Sequence, residues 1–149
     1  MLDPIRHEVA LTGVHPARAF AAYVDLGAWW PAEYTPDAAG FVGGRIEPWA
    51  GGRVVFETDS LGEVEWGRVL EADDGTTADA ATARLVHTST LAQPPDVPST
   101  VTLEFDAADA GTVLRFAHGG WRDGDADLRA KFGDWPVILA RYAAWARSR

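Results

Sequence analysis

Four histidines are the side chains of this sequence best suited to acid–base chemistry near neutral pH, and they lie far apart along the chain. His7, His15, His87 and His118 include no pair at the close helical spacing typical of a zinc site. The sequence has no cysteine, which excludes thiolate catalysis and disulfides. It also has no GxSxG motif, phosphate loop or dinucleotide fingerprint. We therefore expect no metal and no cofactor, and catalytic residues stay unassigned.

Two of the histidines share a face with apolar residues on predicted strands. His87 alternates with Leu85, and His118 alternates with Phe116, so both imidazoles are expected to point into the interior. A neutral imidazole there either orients a ligand hydroxyl, acts as a base, or is a hydrogen-bonded structural group. For His7 we favour the structural role, on the apolar face of the first strand.

The other charged candidate is an arginine whose direction depends on one glycine. Arg68 has the same strand parity as Trp66 and would point inward, where it would need a carboxylate or an anionic ligand. A β-bulge at Gly67 would instead return Arg68 to solvent. Both alternatives are open from the sequence.

The elements that position these residues follow a simple order: one strand, one helix, six strands and a terminal helix. Period-two alternation of apolar residues predicts strands, and Pro16 predicts the start of the first helix, over 17–24. A short second helical turn must end before Pro31, and residues 32–40 are predicted to be a loop. The strands are predicted at 4–12, 41–47, 53–59, 63–72, 82–90, 99–106 and 112–118.

The last segment, about 123–148, carries a continuous apolar stripe typical of a buried helix face. Its members are Leu128, Phe132, Trp135, Leu139, Tyr142 and Ala146. Gly133 and Pro136 interrupt the stripe, so we predict a kink or a break between them. Ile138 lies off the stripe and is expected to reach a second surface.

Composition favours one globular domain over residues 1–149. Hydrophobic residues make up 47% of the 149, enough to bury a core. The formal net charge of −9 argues against nucleic acid and anionic lipid as partners. No apolar run approaches the ~20 residues that span a bilayer, so we expect no membrane partner and a cytoplasmic location.

The order of these motifs resembles the helix-grip (START/Bet v 1-like, SRPBCC) superfamily, and most of all its branch related to the activator of Hsp90 ATPase homologue 1. The resemblance is carried by residues 19–31, 51–53, 65–69, 112–121 and 133–135. It implies an α+β fold with a seven-stranded antiparallel sheet wrapped around a long C-terminal helix. Two short helices would follow the first strand.

The resemblance also implies a hollow between the sheet and the terminal helix. Inward-facing aromatic residues would line it, unless the same rings fill it completely. The predicted ligand-binding residues are Trp29, Trp30, Phe56, Trp66, His87, Phe105, Phe116, His118, Trp135, Leu139 and Tyr142.

Three functions compete at this point. The first is binding of a small apolar or aromatic molecule by a monomer or homodimer, which we favour over catalysis. The second is a lyase of the polyketide cyclase or dehydratase type, with one histidine as general base. The third is an interaction module for an Hsp90-like chaperone, suggested by the branch resemblance.

Overall fold

The fold is one curved antiparallel sheet with helices on its concave side. A computed structural model describes residues 1–76 and 81–148. The single-domain prediction also spans residues 77–80 and 149, which lie outside the described residues. The strands are β1 (Ile5–Thr12), β2 (Phe41–Ile46), β3 (Arg53–Thr58), β4 (Gly62–Asp73), β5 (Thr82–Ser89), β6 (Ser99–Ala108) and β7 (Gly111–Gly119).

The strands from β2 to β7 form an antiparallel meander, and β1 joins its far edge. Their order in the sheet is β1-β7-β6-β5-β4-β3-β2. The first strand pairs antiparallel with the last, Ile5 opposite His118 and Thr12 opposite Gly111. This arrangement confirms the predicted α+β helix-grip fold.

The chain between β1 and β2 forms one helix and two single 3-10 turns. Helix α1 (Pro16–Val24) begins at the predicted proline, and the exposed His15 precedes it without a capping bond from its side chain. A second helical turn is present at Leu26–Ala28, and it ends two residues earlier than the predicted position directly before Pro31. The turn Ala32–Tyr34 lies where we predicted a loop. It folds because the backbone N–H groups of Tyr34 and Thr35 bond to carbonyls three residues earlier.

A β-bulge in β4 decides the direction of Arg68. In the register with β3, Val54 pairs with Gly67 but Val55 pairs with Glu65, so Trp66 is the extra residue. A Cβ at Gly67 would lie 2.2 Å from the carbonyl oxygen of Thr88, which explains the glycine. Trp66 turns inward, while Arg68 is exposed and forms an ion pair with Glu65. Of the two alternatives that the sequence left open, the structure shows the bulge, with Arg68 exposed to solvent.

The terminal helical segment is broken, as Gly133 and Pro136 predicted. A 3-10 turn (Asp123–Asp125) leads into the short helix α2 (Ala126–Ala130), and α3 (Trp135–Ser148) follows a turn. Pro136 does not kink a helix, because it lies in the first turn of α3, where its missing N–H costs nothing. The first bonds of α3 run from Val137 and Ile138 to the carbonyl of Asp134.

Candidate ligand-binding site

A cavity of about 500 Å³ lies between the sheet and the start of α3. Its inner surface is apolar and comes from three separate parts of the chain. We call the following five residues the cavity wall: Trp30, Trp66, Phe132, Trp135 and Ile138. Leu91 and Tyr34 extend this surface toward the opening, and Ser89 adds one buried hydroxyl.

Two hydrogen bonds join the segments around the opening of the cavity. The hydroxyl of Tyr34 donates to Oδ2 of Asp134 at 2.9 Å, and Nζ of Lys131 donates to the carbonyl of Ala92 at 3.2 Å. Ala92 has a left-handed backbone, with φ 59°, which is uncommon for alanine. These two hydrogen bonds therefore connect separate segments of the chain around the opening.

One side of the cavity is formed by a weakly packed segment. No residue from 122 to 134 is buried, although Trp121 and Trp135 at its two ends are both buried. The segment contributes Lys131, Phe132 and Asp134 to the cavity. Because it buries so little apolar surface, packing holds this side of the cavity only weakly.

Four other aromatic residues of the interior pack directly against one another. Tyr23, Trp29, Phe105 and Tyr142, which we call the filled cluster, are each 2% exposed or less. The Tyr23 ring centroid lies 5.0 Å from that of Trp29, 5.1 Å from that of Tyr142 and 6.3 Å from that of Phe105. None of these four residues lines the cavity.

The predicted ligand-binding residues therefore divide between two environments. Three of them, Trp30, Trp66 and Trp135, line the cavity. The other eight are buried in the protein interior and do not line it: Trp29, Phe56, His87, Phe105, Phe116, His118, Leu139 and Tyr142. Whether any of the eleven binds a ligand stays a prediction.

His118 is the centre of a buried hydrogen-bond chain. The indole Nε1–H of Trp135 donates to its Nδ1 at 3.0 Å, so the proton of a neutral ring is on Nε2. Nε2 then donates to Oγ of Ser99 at 2.6 Å, and the Ser99 hydroxyl lies 3.1 Å from Oε1 of Gln93. Burial, with a smaller contribution from nearby His87, lowers the pKa of His118 to about 3.

This geometry excludes a serine–histidine dyad at neutral pH. The proton of His118 points at Ser99, whereas a base that activates a serine must accept the hydroxyl proton. His118 instead fixes the start of α3, through Trp135, to the sheet.

His87 is also buried and neutral, but one of its ring nitrogens has no partner. Nδ1 lies 2.8 Å from the carbonyl oxygen of Thr88 and so carries the proton. Among the described residues, Nε2 of His87 and Nε1 of Trp66 are buried without a hydrogen-bond partner. Burial lowers the pKa of His87 to about 4.

The rim of the cavity carries both signs of charge. Lys131 is the only lysine in the sequence, and Glu33 and Asp134 are exposed beside it. The hydrogen bond to Asp134 raises the pKa of Tyr34. Within residues 1–76 and 81–148, no cluster of three or more histidines or carboxylates could hold a metal ion.

Sequence reasoning missed part of the cavity lining. Tyr34 lies in a 3-10 turn that was predicted as loop, and Leu91 follows the end of β5. The sequence did mark two of the lining residues. Ile138 lies off the apolar stripe, and Phe132 directly precedes Gly133 at the predicted break. Apolar side chains beside a helix break are good candidates for lining a cavity, because the break takes them out of the regular packing of the helix face.

Comparison with protein families identifies the chain. Residues 14–144 match the family described as activator of Hsp90 ATPase homolog 1-like protein. The chain belongs to this family. The match covers most of the sequence, including every residue of the cavity wall.

Solved structures show the same fold at low sequence identity. A protein from Rhodobacter sphaeroides aligns with a TM-score of 0.67 and 19% identity over 98% of this chain and 91% of its own. The anthrahydroquino-γ-pyrone synthase Txn09, complexed with SUM, aligns with a TM-score of 0.57 and 20% identity over 97% of each chain. Ara h 8.0201 aligns with a TM-score of 0.51 and 14% identity over 98% of each chain.

These likenesses confirm the predicted helix-grip fold. None of the curated proteins compared with the chain matches it in sequence. No helix in the described part of the chain combines the length and apolar character needed to cross a bilayer.

Proposed function

We propose that this protein binds a small apolar or aromatic molecule in the cavity beside the start of α3. The observation that carries the proposal is the cavity wall, where three indoles, a phenyl ring and an isoleucine face about 500 Å³ of space. Small-molecule sites commonly enclose about 300–1,000 Å³ and are lined by apolar and aromatic side chains with few polar groups.

The positions of the two buried histidines favour binding over general-base catalysis. His118 uses both ring nitrogens in protein hydrogen bonds, and burial keeps the pKa values of His118 and His87 at about 3 and about 4. A general base works best when its pKa lies near the working pH. A cyclase or dehydratase reaction and an Hsp90-like partner therefore remain predictions from the family resemblance.

A fluorescent apolar probe tests the proposal directly. N-phenyl-1-naphthylamine is neutral and is expected to bind saturably with one site per chain. Ile138→Trp fills the cavity from its wall and should weaken probe binding at least tenfold. Val137→Trp is the matched control, since Val137 is the preceding residue of α3 but is 52% exposed and does not line the cavity.

The control should bind the probe as the wild type does. Non-saturable binding, or equal loss of affinity in both tryptophan variants, would contradict the proposal. Circular dichroism of each variant separates loss of binding from loss of folding.

A further inference from the structure

Two carboxylates from different segments of the chain lie at the opening of the cavity. Glu33 belongs to the 3-10 turn Ala32–Tyr34, and Asp134 directly precedes α3. Both residues are exposed and both line the cavity, so neither is shielded from a bound molecule. Within residues 1–76 and 81–148, neither of these carboxylates forms an ion pair.

The hydroxyl of Tyr34 shows that both negative charges act at the same place. It donates to Oδ2 of Asp134 at 2.9 Å. This hydrogen bond raises the pKa of Tyr34, and the charges of Asp134 and Glu33 add to the effect. A position where two carboxylates disfavour a negative charge is one where they favour a positive charge.

The cation at the cavity rim does not cancel these two charges. The charged residues that line the cavity are Glu33, Asp134 and Lys131, so negative charge is in excess. Nζ of Lys131 already donates to the carbonyl of Ala92 at 3.2 Å. The formal net charge of the whole chain is −9, which has the same sign. The electrostatic field around the opening therefore attracts cations and repels anions.

The aromatic lining of the cavity also suits a positively charged ligand. Trp30, Tyr34, Trp66, Phe132 and Trp135 all line the cavity, and the ring centroids of Trp30 and Trp135 lie 5.8 Å apart. The face of an aromatic ring attracts an organic cation, and indole does so most strongly. Aromatic rings beside carboxylates are thus the combination that recognises a hydrocarbon with a positive charge.

We propose that the ligand of this cavity is a protonated amine, whose hydrocarbon part packs on the cavity wall and whose ammonium group lies at the opening beside Glu33 and Asp134. This inference rests on the proposed function, since it names the chemical class of ligand for the same cavity. It goes beyond the apolar wall, which by itself does not distinguish a charged ligand from a neutral one of the same shape.

Three ligands of similar shape test the charge preference. Naphthalen-2-ylmethanamine is a cation at neutral pH, naphthalen-2-ylmethanol is neutral, and 2-naphthoate is an anion. Competition against N-phenyl-1-naphthylamine gives all three dissociation constants. We expect the wild type to bind the amine about threefold to tenfold more tightly than the alcohol, as two exposed ion pairs imply, and 2-naphthoate most weakly. In about 1 M sodium chloride the advantage of the amine should shrink to within about twofold, because salt screens exposed charges.

Two variants assign the preference to the carboxylates. Glu33→Gln and Asp134→Asn should each weaken binding of the amine by about twofold to fivefold. Neither should change the affinity for the alcohol, which also shows that the variant is folded. Asp127→Asn is the matched control, because it removes the same charge from an exposed residue of segment 122–134 that does not line the cavity. The control should keep the wild-type preference.

The outcomes separate this inference from the proposed function. Equal affinity for the amine and the alcohol, a preference for the amine that persists in both carboxylate variants or in high salt, or an equal loss in Asp127→Asn would overturn the amine inference while the cavity still binds apolar molecules. Tightest binding of 2-naphthoate, lost in Lys131→Gln, would overturn it in favour of an anionic ligand. Failure of all three ligands and of the probe to bind would overturn both proposals.

Discussion

The filled cluster and the cavity wall both consist mainly of aromatic side chains, but they differ in how completely these side chains fill the space around them. In the filled cluster, Nε1 of Trp29 donates to the carbonyls of Ala22 and Tyr23, and the Tyr142 hydroxyl donates to the carbonyl of Ala19 at 2.6 Å. In the cavity wall, Nε1 of Trp66 has no partner in the described structure. The other indole N–H groups of the cavity wall are paired, since Nε1 of Trp30 donates to the carbonyl of Tyr34 and Nε1 of Trp135 donates to His118. The two regions thus differ mainly in whether their rings fill the space around them.

The largest expected difference between the two regions is in stability. Phe105→Ala should lower the free energy of unfolding by about 3–5 kcal/mol, because it opens a void in the filled cluster. Phe132→Ala should cost only about 1 kcal/mol, because this ring is half-buried beside space that already exists. Urea unfolding of both variants measures the difference, and equal losses would contradict the division into two regions.

The next effect is a dependence of stability on pH that comes from the two histidines between the regions. Burial lowers the pKa values of His87 and His118 to about 4 and about 3, whereas histidine in an unfolded chain has a pKa near about 6.5. As the pH falls below this value, the unfolded chain binds protons that the folded protein excludes. Stability should therefore fall by up to about 1.4 kcal/mol per pH unit for each histidine.

Urea unfolding at pH 7, 6 and 5 measures this slope. His87→Gln should reduce this slope by the contribution of one histidine, up to about 1.4 kcal/mol per pH unit, even if that variant is less stable at pH 7. His15→Gln removes an exposed histidine at the start of α1 and is the control. A wild-type slope that persists unchanged in His87→Gln would show that His87 is protonated in the folded protein.

The smallest effect compares two consecutive residues of α3. Leu139→Trp should destabilise the protein by about 1–3 kcal/mol, because Leu139 is 1% exposed and its neighbours leave no room. Ile138→Trp should change stability by less than about 1 kcal/mol, because the larger side chain enters the cavity. Thermal and urea unfolding of the pair measure this, and an equal cost would mean that the cavity cannot accept the ring.

Most of the fold could be predicted because it rests on regular periods. The alternation of Leu114, Phe116 and His118 places all three on the buried face of β7, as observed. The glycine in β4 marks the bulge that frees Arg68, and Gly133 and Pro136 mark the break before α3. In each case a local rule about backbone geometry is enough.

The cavity could not be predicted to the same degree, and two adjacent residues show why. Trp29 belongs to the filled cluster and Trp30 to the cavity wall, although they are identical and consecutive. They follow a 3-10 turn and precede Pro31, where neither a period of two nor one of 3.6 applies. Which indole meets Tyr142 and which meets the cavity depends on packing between distant segments.

The rim residue Lys131 has a practical consequence for solution work. Because all other basic side chains are arginines and histidines, this ammonium group and the N-terminus are the only primary amines in the sequence. An amine-selective ¹³C-methyl tag or dye would therefore attach at Met1, where the amine pairs with Asp123, and at the cavity opening beside Ala92. A spectroscopic reporter can therefore be placed at the entrance of the cavity without any substitution in the sequence.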